Sequence, residues 1–260
     1  MLVLLPPSEG KATAVRGRPV ALDGLSLPGL TGARTAVLDE LVDLCAGDED
    51  KAADVLGLSP GLRGEIARNA ALLTAPALPA AKLYTGVLYD ALGVATLTPA
   101  ARRRAHQSVL VFSGLWGAVR LTDRIPPYRC SVGVRLPGAG GLAAYWKPYL
   151  DAVLPEVAGG GLVLDLRSSA YAAVWKPRPD IALRTATVRV LQVTVVGGVE
   201  HRTVVSHFNK ATKGRLVRAL LESGARPKTP AALAETLREL SFTVEEGGGG
   251  RLDVLVREIH

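Results

Sequence analysis

The stretch Ser206-His207-Phe208-Asn209-Lys210-Ala211-Thr212-Lys213-Gly214-Arg215 divides two kinds of sequence. Before it lie two strand-like runs, Val188 to Val196 and Arg202 to Val205, separated by Gly197-Gly198, a dipeptide that favours a hairpin. After it Leu216, Leu220 and Leu221 fall on one face of a helix. Polar and cationic groups therefore collect where a strand hands over to a helix. Unpaired N–H groups and the positive end of a helix dipole favour an anion at such a place. Lys210 and Lys213 are three apart and share a helical face, and His207 adds a group that titrates near neutrality. A solvated basic first turn is the ordinary alternative. The rest of the chain decides between the two.

Three further runs read as buried strands: Leu2 to Leu5, Ser108 to Phe112 and Leu162 to Leu166. Helical spacing covers Thr31 to Asp54, Arg63 to Leu73, Tyr145 to Leu154 and Thr229 to Leu240. Phe242 to Glu245 and Leu252 to Glu258 predict a closing hairpin around Gly247 to Gly250. Between the first two helical patterns, Gly57-Leu58-Ser59-Pro60-Gly61 resembles the turn of a helix-hairpin-helix, whose amides grip DNA phosphates without reading bases. Gly61 and Gly64 are spaced wider than that motif's GxG, and a plain αα-hairpin is the better fit. With no repeat and no long linker, residues 1–260 are expected to form a single α/β domain. It should contain a mixed sheet, flanking helices and a helix-hairpin-helix-like element.

The chain of 260 residues is 48% hydrophobic and carries a net charge of +7. From Lys176 to Lys228 eleven Lys/Arg face three Asp/Glu, a balance of +8. From Arg102 to Arg135 seven Arg face Asp123 alone, a balance of +6, which leaves about −7 for the remainder. Two basic regions on a mildly acidic body suit a polyanion, either nucleic acid or a phosphorylated small molecule. Cys45 and Cys130 form no disulfide framework, and His106, His201, His207 and His260 have no metal-ligand spacing, so no metal or other cofactor is expected. Leu2 to Leu5 is too short for a signal segment and no apolar stretch spans a bilayer, so a cytoplasmic protein without a membrane partner is expected.

Chemistry concentrates at the strand exits, where α/β folds place their ligands. Ser8-Glu9-Gly10-Lys11 follows the first strand. It is not a phosphate-binding Walker loop, because the first glycine is missing and Ala12 replaces the magnesium-holding hydroxyl. Ser113-Gly114-Leu115-Trp116-Gly117 follows the second strand, with Tyr128-Arg129 beyond it, and Arg167-Ser168-Ser169 with Tyr171 follows the third. Trp116 and Tyr128 are read as packing residues that can also stack a base. The candidate acid/base groups are Glu9, Asp165 and His207. The candidate anion or DNA contacts are Ser8, Lys11, Arg129, Arg167, Ser168, Asn209, Lys210 and Lys213.

Six motifs in one order carry a resemblance: Pro7-Ser8-Glu9-Gly10-Lys11, Tyr84-Thr85-Gly86, Ser113 to Gly117, Pro127-Tyr128-Arg129, Asp165-Leu166-Arg167-Ser168 with Tyr171, and Ser206 to Lys210 with Lys213-Gly214. Together they resemble the YaaA peroxide-stress family (UPF0246), from Met1 to about Glu258. The resemblance implies a cytosolic bacterial protein of one α/β domain with unusual topology, a positively charged cleft and a helix-hairpin-helix-like element. It further implies DNA binding and protection from hydrogen peroxide by limiting free iron. Ala12 stands where many members have threonine, and Cys130-Ser131-Val132 replaces a segment that often carries a glutamate. Double-stranded DNA is thus the expected partner. The alternative is an enzyme acting on a nucleotide-like or phosphorylated ligand, for which Glu9 and Asp165 speak, since carboxylates repel a phosphate backbone.

Overall fold

Leu2–Leu5 (β1), fully apolar and buried, lies at the heart of an eight-stranded sheet. In the computed structural model, which describes residues 1–204 and 206–257 with the side chains of 196 and 206–208 excepted, β1 has parallel neighbours on both edges. One is Val109–Ser113 (β2), with Leu4 opposite Leu110; the other is Val163–Asp165 (β4), with Leu4 opposite Asp165. A strand covered on both faces reads as an unbroken hydrophobic run, as these three do. Gly117–Arg120 (β3) closes one side antiparallel to β2. On the other side comes the long strand Thr185–Val196 (β5), then Arg251–Arg257 (β8) and Thr243–Glu246 (β7). Thr187 pairs with both β4 and β8, and Gln192 pairs with both β8 and Val199–Thr203 (β6). Strands β4 and β6 therefore share one edge of β5 in succession. The result is a single-domain α/β fold around one hydrophobic cluster that runs from Leu2 to Val254.

Because β1, β2 and β4 are parallel and in register, their exits at Pro6, Gly114 and Leu166 emerge side by side. Ser206–Ser223 (α7) follows the β5–β6 hairpin and buries Leu216, Leu220 and Leu221 as their spacing predicts. It lies tight against Val87–Leu92 (α4) at Gly214, where an added Cβ would sit 2.2 Å from the Leu88 carbonyl oxygen. Arg218 reinforces this contact by donating to the carbonyls of Leu92 and Gly93 at 3.2 and 3.0 Å, where the end of α4 leaves acceptors unpaired.

Several expectations change in detail. The pattern over Thr31 to Asp54 is two helices, Thr31–Ala46 (α1) and Glu49–Leu56 (α2), broken at Gly47-Asp48. The Asp48 carboxylate accepts the Lys51 amide at 2.8 Å and starts α2 as an N-cap. Gly64–Ala70 (α3) is shorter than its periodicity suggests. The segment joining α2 and α3 contains a 3-10 turn over Pro60–Leu62, and Arg63 pairs with Glu49 and Asp50 at 3.4 and 2.6 Å. The segment is an αα-hairpin, and a helix-hairpin-helix is not established.

Leu142–Ala158 (α6) outruns its predicted span despite Pro148 and Pro155 inside it. Each proline costs about 3 kcal/mol in a helix interior. The stripe Leu142, Trp146, Leu150, Leu154 and Ala158 offsets this by complete or nearly complete burial, at roughly 1.5–3 kcal/mol for each large side chain. The basic triplet Arg102-Arg103-Arg104 lies within Pro99–Ser108 (α5) and only partly faces solvent: Arg102 donates to Ala95 and Leu97 carbonyls, and Arg104 to those of Leu221 and Glu222. Part of the basic excess is thus spent on capping carbonyls.

Candidate functional site

Loop 6–11, leaving β1, forms one wall of a cleft of about 470 Å³. Residues 85–89 at the start of α4, residues 128–131, Ser168, Tyr171 and Lys210 complete the lining. Short backbone bonds hold the loop in place: Ala12 N–H donates to Leu83 O at 2.8 Å and Thr85 N–H to Gly10 O at 3.2 Å. Gly86 has φ +99°, and a Cβ there would meet the Ser8 hydroxyl at 3.2 Å, so both its conformation and its closeness to the loop suit glycine. The opposite wall depends on Gly114, where a Cβ would stand 2.5 Å from the Cys130 carbonyl oxygen.

Lys11 sits in this cleft with its ammonium group anchored to the Ser8 carbonyl at 2.9 Å. Its Nζ lies 4.4 Å from the centre of the Tyr128 ring and 5.8 Å from that of Tyr84. Among the described residues no carboxylate comes within ion-pairing distance of it. Burial, and after it the Arg129 guanidinium, push its pKa down to about 8. Beneath it the Tyr128 hydroxyl bonds the Tyr84 hydroxyl at 2.9 Å and the Ser113 hydroxyl at 2.6 Å, while Ser113 Oγ also accepts the Leu115 and Trp116 amides. Tyr128 and the fully buried Trp116 meet edge to face at 6.2 Å, so packing is what holds both.

Arg129 reaches Glu9 at 3.2 Å across the cleft mouth, where the Glu9 side chain is 86% exposed. The Arg129 backbone is clamped by Asn69, whose amide accepts its N–H at 2.9 Å and donates to its carbonyl at 2.8 Å. Asn69 is fully buried, on the same face of α3 as Ile66, and was not among the sequence candidates. A polar residue on an otherwise apolar helical face was the available signal. Arg34 is a second unanticipated buried group, which donates to the carbonyls of Ser26, Trp116 and Ala118 and so braces the turn after β2. Burial pushes its pKa down to about 10.

The structure divides the remaining candidates. Ser8, Glu9, Lys11, Arg129, Ser168 and Lys210 line the cleft, so the exit of β1 and the helix opened by the 206–215 stretch meet there. Asp165 and Arg167 do not line it. They form a buried bidentate pair at 2.8 and 2.6 Å, and Arg167 spends its other donors on the carbonyls of Tyr171 and Trp175. Its guanidinium also lies 4.3 Å from the Phe112 ring centre. With both carboxylate oxygens engaged, Asp165 has no lone reactive group to offer a ligand in the cleft. Lys213 is half-buried and directed to the Leu166 carbonyl at 3.5 Å, away from the exposed Lys210. Asn209 is half-buried, its amide oxygen without a partner among the described residues. The His207 side chain lies outside the described residues.

The chemical capacity of the cleft follows. It has three cations, one carboxylate at the rim, several hydroxyls and aromatic faces below. The Cys130 thiol beside Lys11 is held neutral, since burial pushes its pKa up to about 12. Among the described residues no cluster of His, Cys, Asp and Glu is arranged for a metal ion, and no helix is long and apolar enough to cross a membrane.

Comparison with known proteins extends over the same elements. The family model described as Peroxide stress protein YaaA matches residues 1–247. A UPF0246 protein of Streptomyces coelicolor is 64% identical over 100% of both chains. A UPF0246 protein of Corynebacterium efficiens is 40% identical over 96% of each chain, and one of Ruegeria sp. is 31% identical over 68% of this chain and 71% of its own. With relatedness running the length of the chain, through every strand exit that builds the cleft, the protein belongs to the YaaA peroxide-stress (UPF0246) family.

Proposed function

We propose that this member of the peroxide-stress family acts by binding a small phosphorylated, nucleotide-like molecule in the cleft. The observation that carries the reading is the convergence of Lys11, Arg129 and Lys210 on a cavity of about 470 Å³. That volume suits one small ligand. A duplex is wider than such a cleft and would meet the exposed Lys210 before the half-buried Lys11. Arg129 and Lys210 supply charge for the phosphate, hydroxyls of Ser8, Ser131 and Ser168 supply hydrogen bonds, and the tyrosine faces supply a surface for a ring.

A second reading, binding of the DNA backbone, is favoured by the net charge of +7 and by the exposure of Lys210 at the rim. Titration with a nucleoside diphosphate, and separately with two unrelated duplexes, decides between them. The first reading expects saturable nucleotide binding that weakens by roughly 1.5–3 kcal/mol in Lys210→Ala, the range for a charge-assisted hydrogen bond. Duplex binding of equal strength for both sequences, collapsing between about 50 and about 200 mM salt with no nucleotide binding, would replace it by the second.

A further inference from the structure

Lys11 is an unusual choice if charge alone is needed. A cation meant only for phosphate is better served by a solvated ammonium or a guanidinium, as at Lys210 and Arg129. Lys11 instead has its amine against an aromatic face, tied to the Ser8 carbonyl at 2.9 Å and to the Glu9 carbonyl at 3.5 Å, with the Arg129 guanidinium near enough to lower its pKa and no ion-pairing carboxylate among the described residues. Desolvation and a neighbouring cation are the two conditions that turn a lysine into an amine nucleophile. They also explain a pKa of about 8, which leaves a sizeable neutral fraction near physiological pH.

We propose that Lys11 condenses with the carbonyl group of a small phosphorylated aldehyde or ketone and holds it in the cleft as an imine. This rests on the reading of the cleft as a site for phosphorylated small molecules and names the substrate class within it. The amine lone pair forms the new C–N bond, and one amine proton passes to the carbonyl oxygen. A second proton from solvent lets that oxygen leave as water, and the nitrogen keeps its remaining proton in the iminium product. Arg129 and Lys210 lie on the same cleft to hold the phosphate. The anchor to Ser8 fixes the amine, and Tyr171, whose hydroxyl accepts the Val132 amide at 3.3 Å and donates to no acceptor among the described residues, lines the cavity.

The test is reductive trapping near neutral pH with pyridoxal phosphate as probe and cyanoborohydride as reductant, the adduct being located by peptide mapping. Lys11 should be modified roughly tenfold faster or more than the solvated Lys51 and Lys210, because its amine is desolvated against the Tyr128 ring and its pKa is lowered to about 8. An excess of nucleoside diphosphate should protect it, and a folded Lys11→Arg protein should lose the adduct. If that variant does not fold, mapping on the unaltered protein decides alone. Labelling of Lys11 no faster than that of Lys51, in a protein whose melting temperature still rises with nucleoside diphosphate, overturns the imine and leaves the cleft reading intact. Equal labelling by unphosphorylated pyridoxal keeps the imine and removes the phosphate from both proposals.

Discussion

Two cations leave neighbouring parallel strands of this sheet and meet opposite fates. Arg167, two residues beyond β4, is saturated: Asp165 takes one edge of its guanidinium and two backbone carbonyls take the rest. Lys11, six residues beyond β1, has two carbonyls of its own loop, those of Ser8 and Glu9, and aromatic faces. The difference lies in the length of chain after the strand. Arg167 turns back at once onto the carboxylate of its own strand, which faces it across two residues. Lys11 is carried by a loop that crosses to Tyr84 and opens a cavity before the side chain can find a partner. A charge that is buried and fully paired supports the wall, whereas one that is half-buried and without an ion-pair partner is left open to a ligand.

The comparison is broken most severely by removing half of the saturated pair. Asp165→Ala should cost about 3–5 kcal/mol, because a buried guanidinium is left without its counter-charge. Denaturant melts measure it, and a loss below about 1 kcal/mol, the level of an exposed pair, would mean that Arg167 is held by its carbonyls alone.

Next in size, Gly214→Ala forces α7 off α4, with an expected cost of about 1–3 kcal/mol from overpacking against the Leu88 carbonyl. Because α7 carries Lys210 to the cleft, nucleotide binding should weaken as well. Unchanged binding alongside lowered stability would show that the rim tolerates the displacement.

Lys11→Met sharpens the contrast, for it should raise stability at neutral pH where Asp165→Ala lowers it. The folded-state pKa of Lys11 is about 8 against an ordinary 10.5, so between those values the unfolded chain binds more protons and stability rises with pH. Below pH 8 the destabilisation from the buried ammonium is fully present. The variant should therefore be the more stable protein at pH 7, with its advantage shrinking as pH climbs toward 10.5. Thermal melts across that window test the sign; a Lys11→Met protein that melts lower at pH 7 refutes it.

The smallest effect belongs to Glu9→Gln. Its carboxylate is 86% exposed, so losing the bridge to Arg129 should change stability by less than about 1 kcal/mol. Anion binding should strengthen slightly, since Arg129 is released and a negative charge leaves the rim. Weaker binding would assign Glu9 a direct part in holding the ligand.

How much of this was legible beforehand depends on the range of the interaction. Local periodicity and turn chemistry were sufficient for the buried strands, the Gly197-Gly198 hairpin and the helix after Ser206, because burial of one face and glycine conformations are written within a few residues. The break between α1 and α2 was equally local, at Gly47-Asp48, but lay inside a pattern whose apolar spacing masked it. The same residue types at strand exits also marked where polar side chains converge, and six of those candidates line one cleft. What no local pattern contains is the partner of each charge. Asp165 and Lys11 look alike as polar residues after apolar runs, yet only parallel register, the crossing of loop 6–11 to Tyr84 and the Asn69 clamp from a distant helix decide that one is buried in a pair and the other left open. Secondary structure was set by neighbours in sequence; the pairing state of a cation, and hence its reactivity, was set by neighbours in space.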